Sequence, residues 1–195
     1  MDDHTEWHRG RREYTAWIIE LEREEIIDQV EAARKHLSGF LLDHYQRQPH
    51  ITLFVCGFLA DDPRYGDDYC QHELEIHRQL LTDSGISPFS IEIGGLNSFA
   101  AAPFLEVRDR EGGIERVRAL LSSTATEIAR STFTPHVTVG LYSGTFPSKM
   151  VCERIATFSP RPVSLVIKQI TFAAYRASEI SGPLVYKHRA VLSKK

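Results

Sequence analysis

Cysteine is scarce in this chain. Cys56, Cys70 and Cys152 are the full set and none forms a C-x-x-C pair, so neither a disulfide framework nor a zinc site organises the fold. Basic excess is missing too: 23 Lys and Arg face 26 Asp and Glu, for a formal net charge of −3. That excludes the cationic footprint of a protein that coats long nucleic acid, and leaves open a small or terminal nucleotide site. No apolar run approaches the roughly 20 residues that cross a bilayer. The opening "MDDHTEWHRGRRE" is polar and acidic where a signal peptide needs a basic start and an apolar stretch. A cytoplasmic protein with no membrane partner is expected. His4 and His8 are four apart, but they sit in a polar stretch without apolar periodicity, and residues 1–12 read as a disordered end rather than a metal site. Finally, no linker rich in Pro, Gly or Ser divides the chain, so residues 13–195 are expected to pack as one unit.

What is present alternates strands with helices. Residues 14–22, "YTAWIIELE", are β-branched and aromatic, and in the next stretch Ile26, Ile27, Val30, Ala33 and Leu37 recur at helical spacing. "HITLFVCGFL" is a second strand, and Asp67 or Asp68 of the acidic turn after it is placed to cap the helix over residues 69–85. That turn is not a calcium loop, since Pro63 and Tyr65 stand where oxygen ligands are required. Two strand-like runs, 89–93 and 104–107, flank a Gly- and Ala-rich connection and suggest an antiparallel pair. A helix over 113–130, the strand "HVTVGLY", a short helix at 148–156 and two last strands, 163–175 and 183–192, complete the chain. The two halves rhyme. The class is α+β, with antiparallel sheets backed by helices.

One phrase is written twice. Pro49-His50-Ile51-Thr52 and Pro135-His136-Val137-Thr138 are 86 residues apart, near half the chain length. Alternate residues of a strand share a face, so His50 and Thr52 point one way, and His136 and Thr138 do the same in the second copy. The intervening Ile51 and Val137 supply the face that packs on the core. Were the two lobes to face each other, two imidazoles and two hydroxyls would meet in one cleft. An imidazole titrates near 6.5, so one can accept a proton while the other donates one. Phosphodiester hydrolysis needs both acts, plus donors for the charge that builds on phosphate oxygens. No ligand-spaced carboxylate or cysteine accompanies these strands, so no metal is expected there. Cys56, Cys70 and Cys152 have no spacing that suggests nucleophilic work.

These paired phrases resemble the two His-x-Thr/Ser signatures of the 2H phosphoesterase superfamily, which includes the 2'-5' RNA ligase-like RNA cyclic phosphodiesterases. "WIIELEREEIIDQV", "GGLNSFAAAPFLEV" and "RASEISGPLVYKHRAVL" resemble the family's opening strand and helix, its glycine turn with the following strand, and its closing segment. The resemblance implies a bilobal fold with a pseudo-twofold axis through a central cleft. It also implies metal-independent, cofactor-free hydrolysis of 2',3'-cyclic phosphodiesters at RNA 3' ends or on small cyclic nucleotides. His50 and His136 would be the acid-base pair, with Thr52 and Thr138 binding phosphate. Ligation to a 2'-5' RNA bond, the reverse reaction, and nucleotide or RNA binding without turnover are the alternatives. RNA ligase-like members often carry an arginine just after the second signature, where this chain has "VGLY"; its Tyr142 resembles members acting on small cyclic nucleotides. Tyr142, six residues beyond His136, would share its face on an unbroken strand, with Gly140 leaving room for a base. Phe99 is expected near the cleft mouth, and Phe54 in the core. Arg47, Lys168 and Arg176 are candidate sources of positive charge for the phosphate.

Overall fold

The computed structural model describes residues 4–129 and 132–194. Its elements in order are α1 (Thr5–His8), β1 (Glu13–Glu20), α2 (Glu24–His36), β2 (His50–Leu59), β3 (Asp68–Tyr69), α3 (Gln71–Asp83), β4 (Phe89–Ser98) and β5 (Pro103–Arg108). There follow α4 (Gly113–Ser122), β6 (His136–Thr138), α5 (Ser148–Ala156), β7 (Val163–Ile167), β8 (Gln169–Arg176) and β9 (Val185–Val191). The strands form two sheets, ordered β3-β2-β1-β8-β9 and β6-β5-β4-β7. All pairings are antiparallel except the two-residue β2–β3 contact. The first sheet without β3, read from β2, and the second, read from β6, correspond strand for strand. This is the bilobal α+β arrangement with its pseudo-twofold relation.

Alternation along β1 divides the first sheet into two faces. Thr15, Trp17 and Ile19 point to the helices; Ala16, Ile18 and Glu20 point away. On the helix side, one apolar cluster runs from Trp17, Ile26 and Val30 through Leu53 and Phe54 to Ile91, Leu105 and Val137, so both sheets share a core. In α2 the helical spacing buries Ile26, Val30 and Ala33, while Ile27 turns outward and is 38% exposed.

Within this core sits one histidine that has nothing to do with the repeated phrase. His77 of α3 is fully buried. Its Nε2–H donates to the Leu121 carbonyl at 3.0 Å, and its Nδ1 accepts from Trp17 Nε1 at 3.1 Å and from the Tyr69 hydroxyl at 2.8 Å. Burial lowers its basicity and keeps it neutral, as this bonding pattern requires.

Several boundaries differ from the sequence reading. The final β-rich run is not one strand: it breaks at exposed Lys168, with β7 joining the second sheet and β8 the first. No Pro or Gly marks the switch, because the two pieces differ in their partners and not in their own propensity. The Gly94-Gly95 pair lies inside β4 as an irregularity of its pairing with β5, and the turn is residues 99–102, closed by Phe99 N–H to the Ala102 carbonyl. Helix α4 stops at Ser122; the predicted helix continued to Arg130, which lies outside the described residues.

The expected disordered end is, over residues 4–12, built into the first sheet's edge. Trp7 packs on Tyr14 and Phe58 with ring centroids 4.9 and 4.8 Å apart. Arg11 pairs with Asp67 at 2.6 Å and Asp68 at 2.5 Å, and its guanidinium lies 3.7 Å from the Phe58 ring centroid. Asp67 and Asp68 are therefore engaged by Arg11 and do not cap α3. That helix is capped by Cys70, whose N–H is bonded by Glu73 at 2.8 Å.

Replacing His77 by leucine keeps apolar volume but takes the acceptor from the Trp17 N–H and the Tyr69 hydroxyl and one donor from the Leu121 carbonyl. Urea unfolding of His77→Leu should show a loss of about 2–4 kcal/mol, and a loss below about 0.5 kcal/mol would contradict this role.

Candidate active site

The two copies of the repeated phrase converge. His50 opens β2 and His136 opens β6, and these two strands, from different sheets, approach each other across the interior of the molecule. Thr52 and His136 line one cleft of about 530 Å³, with Val55, Glu127, Phe133 and Phe99 among its walls. His50, Thr52, His136 and Thr138 are all half-buried.

Each imidazole is held the same way. His50 Nδ1 donates to the carbonyl of Gln48 at 2.8 Å, and His136 Nδ1 donates to the carbonyl of Thr134 at 2.7 Å. A carbonyl can only accept, so Nδ1 carries the proton in both rings and Nε2 is left unprotonated in the neutral form. The repeated proline explains the repeated bond. Proline at the position before histidine fixes its own φ and forces the residue ahead of it into an extended conformation, which sets the direction of that residue's carbonyl.

Cross-strand pairing adds a carboxylate beside each histidine. Glu20 of β1 is opposite His50, and Glu106 of β5 is opposite His136, so each pair shares a face with Cβ atoms about 5 Å apart. The pseudosymmetry ends at the next strand. Glu20 is gripped by Arg189 at 2.8 and 2.6 Å and also accepts from the Thr171 hydroxyl. Burial works against its ionisation, but these bonds outweigh it and hold the carboxyl below its usual range. Glu106 instead accepts from the neutral amide of Asn97 at 2.8 Å. It folds over Gly95, where an added Cβ would stand 2.8 Å from Oε2.

Burial pushes the His50 imidazole down to about 4; the Gln48 carbonyl opposes the shift, and the charges of Arg47 and His136 add to it. His50 is thus neutral, with a free Nε2 lone pair, throughout the neutral range. The His136 ring is braced by aromatics, with Phe99 edge-on at 4.9 Å and Phe104 at 5.5 Å.

A bulge shapes the cleft wall. The β1–β2 pairing slips between Trp17 and Ile18, which sends Phe54 to the core, fully buried, and brings Val55 to the cleft. Arg118 of α4 donates to the Leu53 carbonyl at this irregularity and pairs with Glu127 at 2.7 Å, while lying 3.6 Å from the Phe133 ring centroid. Glu127 accepts from Val55 N–H at 3.1 Å. This clamp holds residues 127 and 133 against β2.

The remaining candidates separate. Phe99, 40% exposed, stacks on Phe104 at 4.2 Å and borders the cleft. Tyr142 does not share a strand with His136, because β6 ends at Thr138. Arg34 takes the Val139 carbonyl at 2.7 Å, Leu41 fills the space beside Gly140, and the chain turns to pair with residues 40–42. Tyr142 therefore lines a neighbouring cavity, its hydroxyl bonded to Ser98 at 2.6 Å. Arg47 lies over Tyr175 at 3.9 Å and donates to the Ile180 carbonyl, which places its charge near His50 as well as bracing a loop. Lys168 is exposed at the sheet crossover, and Arg176 lines a separate cavity with Arg11 and Arg12. Glu20, Glu106, Arg189 and the Arg118 clamp were not singled out from sequence; strand register is the signal that reveals the first three. Among the described residues no group of three or more His, Cys, Asp or Glu is placed to hold a metal ion.

Thermal unfolding should register the His50 shift. Its folded value lies below the ordinary 6.5, so between those values the unfolded chain binds the extra proton and stability falls as pH drops from 6.5 toward 4. His50→Gln should flatten that part of the pH profile, and an identical slope in the variant would refute the assignment.

A family model described as the 2'-5' RNA ligase superfamily matches residues 22–179. No curated protein matches significantly. Among solved structures, Escherichia coli LigT complexed with 3'-AMP aligns at TM-score 0.61 and 18% identity, over 95% of this chain and 100% of LigT. A Thermus thermophilus protein, TT0787, aligns at 0.58 and 15%, over 93% and 99%. A structure described as a phosphoesterase aligns at 0.60 and 16%, over 94% and 99%. At these identities the structural likeness speaks to the fold, while the family model spans most of the sequence: the chain belongs to the 2'-5' RNA ligase superfamily.

Proposed function

We propose that this protein hydrolyses 2',3'-cyclic phosphodiesters, at RNA 3' ends or on small nucleotides, by two-histidine acid-base catalysis. The observation that carries the reading is the pair of Pro-His-x-Thr phrases, each with its imidazole fixed through Nδ1, on two strands that approach each other beside a cleft lined by Thr52 and His136. Supporting it, LigT has been captured with 3'-AMP, ATP and phosphate.

In this mechanism the two rings have different tasks. His50, neutral down to about pH 4, takes a proton from water at Nε2 as the water oxygen attacks phosphorus. His136, protonated at Nε2, gives its proton to the ribose oxygen as that oxygen leaves phosphorus. The neighbouring Glu106 carboxylate is bonded to a neutral amide, whereas Glu20 is paired with Arg189. Thr52 and Thr138 donate to the non-bridging oxygens, where negative charge accumulates. The product is a phosphomonoester with one free ribose hydroxyl, and proton exchange with solvent restores both rings. Acid, base and anion donors are all supplied by side chains, so the cycle closes without a metal step. Phe99 offers a surface for the base.

His50→Ala and His136→Ala should each lower kcat by about 10² or more, measured on 2',3'-cyclic mononucleotides in EDTA. Near-wild-type turnover in either variant ends the two-histidine reading, and activity lost in EDTA but restored by zinc would replace it with a metal mechanism.

A further inference from the structure

The cleft has a neighbour. Beyond Phe99 lies a second cavity of about 420 Å³, lined by Ser98, Phe99, Tyr142, Thr145, Phe146 and Cys152 among others. Phe99 borders both spaces. The ring of Phe146 lies 6.1 Å from that of Tyr142 and is itself anchored edge-on against Phe40 at 4.9 Å. Three aromatic side chains thus share the lining, with hydroxyls between them.

Its chemistry is unlike that of the cleft. None of the ten lining residues carries a formal charge, so the cavity does not suit a phosphate. Aromatic walls with hydroxyl donors and acceptors suit an uncharged heterocycle, which stacks with little regard to sequence. The volume is within the range of small-ligand pockets. Because the two cavities meet at one side chain, bases occupying them would belong to adjoining nucleotides.

We propose that this cavity receives the base of the nucleotide preceding the terminal one, so that the substrate is an RNA end of at least two nucleotides rather than a cyclic mononucleotide. This rests on the cleft being the site of phosphodiester chemistry. The terminal nucleoside and its phosphate occupy the cleft beside Thr52 and His136. The preceding base passes Phe99 and lies against Tyr142 and Phe146. Tyr142 acts here on the second nucleotide, which accounts for its separation from the histidine strand.

The test is calorimetric titration of wild-type protein with adenosine 3'-phosphate and with the dinucleotide adenylyl-adenosine 3'-phosphate. The dinucleotide should bind about tenfold more tightly. Cys152→Trp and, separately, Thr145→Trp, two exposed positions on the cavity wall, should remove that advantage and leave mononucleotide affinity intact, which also reports a native fold. Equal affinities in the wild type, no binding of either ligand, or an advantage that survives both variants would overturn the proposal. The same comparison with 2',3'-cyclic forms should give a matching tenfold ratio in kcat/KM. Absence of turnover with the affinity difference intact would sink the hydrolase reading and leave the second base cavity standing.

Discussion

A hydrogen bond spanning two residues governs the cleft. In each lobe a histidine donates its Nδ1 proton to the carbonyl just ahead of the intervening proline. Without that bond the imidazole could flip or exchange tautomers, and Nε2 would have no fixed direction. With it, strand alternation puts a threonine hydroxyl on the same face as each fixed imidazole. The rest of the architecture brings these two units together: β2 and β6 are outer strands of their sheets' four-strand repeats, and the shared core presses the sheets into one body.

Symmetry creates the pair, and departures from it differentiate the members. Both histidines have a glutamate across the strand, but one glutamate is neutralised by Arg189 and the other is bonded to an amide. Arg47 adds positive charge on the His50 side, where burial already disfavours the imidazolium. A site made of two identical halves could not assign base and acid. The partners of the two glutamates, Arg189 on β9 and Asn97 on β4, make the surroundings of the two rings different.

The histidines and threonines were legible in the sequence because their pattern is local: a proline, an alternation of two, and a repeat at half the chain length. The core-facing residues of α2 and the α+β class were legible from periodicity. Features decided by partners were not. Nothing within residues 163–175 marks Lys168 as the point where the chain changes sheets. Residues 136–142 carry the β-branched composition of a continuous strand, yet Arg34 and Leu41, about a hundred residues earlier, end it at Thr138. The bulge that sends Phe54 inward and Val55 into the cleft depends on β1 register and on Arg118. Residues 4–12 look polar and unpatterned, but Trp7 and Arg11 find Phe58 and the Asp67–Asp68 pair at long range.

The most direct test of this account is the ¹⁵N spectrum of histidine-labelled protein followed from pH 8 to pH 3.5. The account predicts that His50 appears as the neutral Nδ1–H form with an unprotonated Nε2, and that it gains its second proton only near pH 4. A His50 ring carrying its proton on Nε2, or titrating near 6.5, would contradict it.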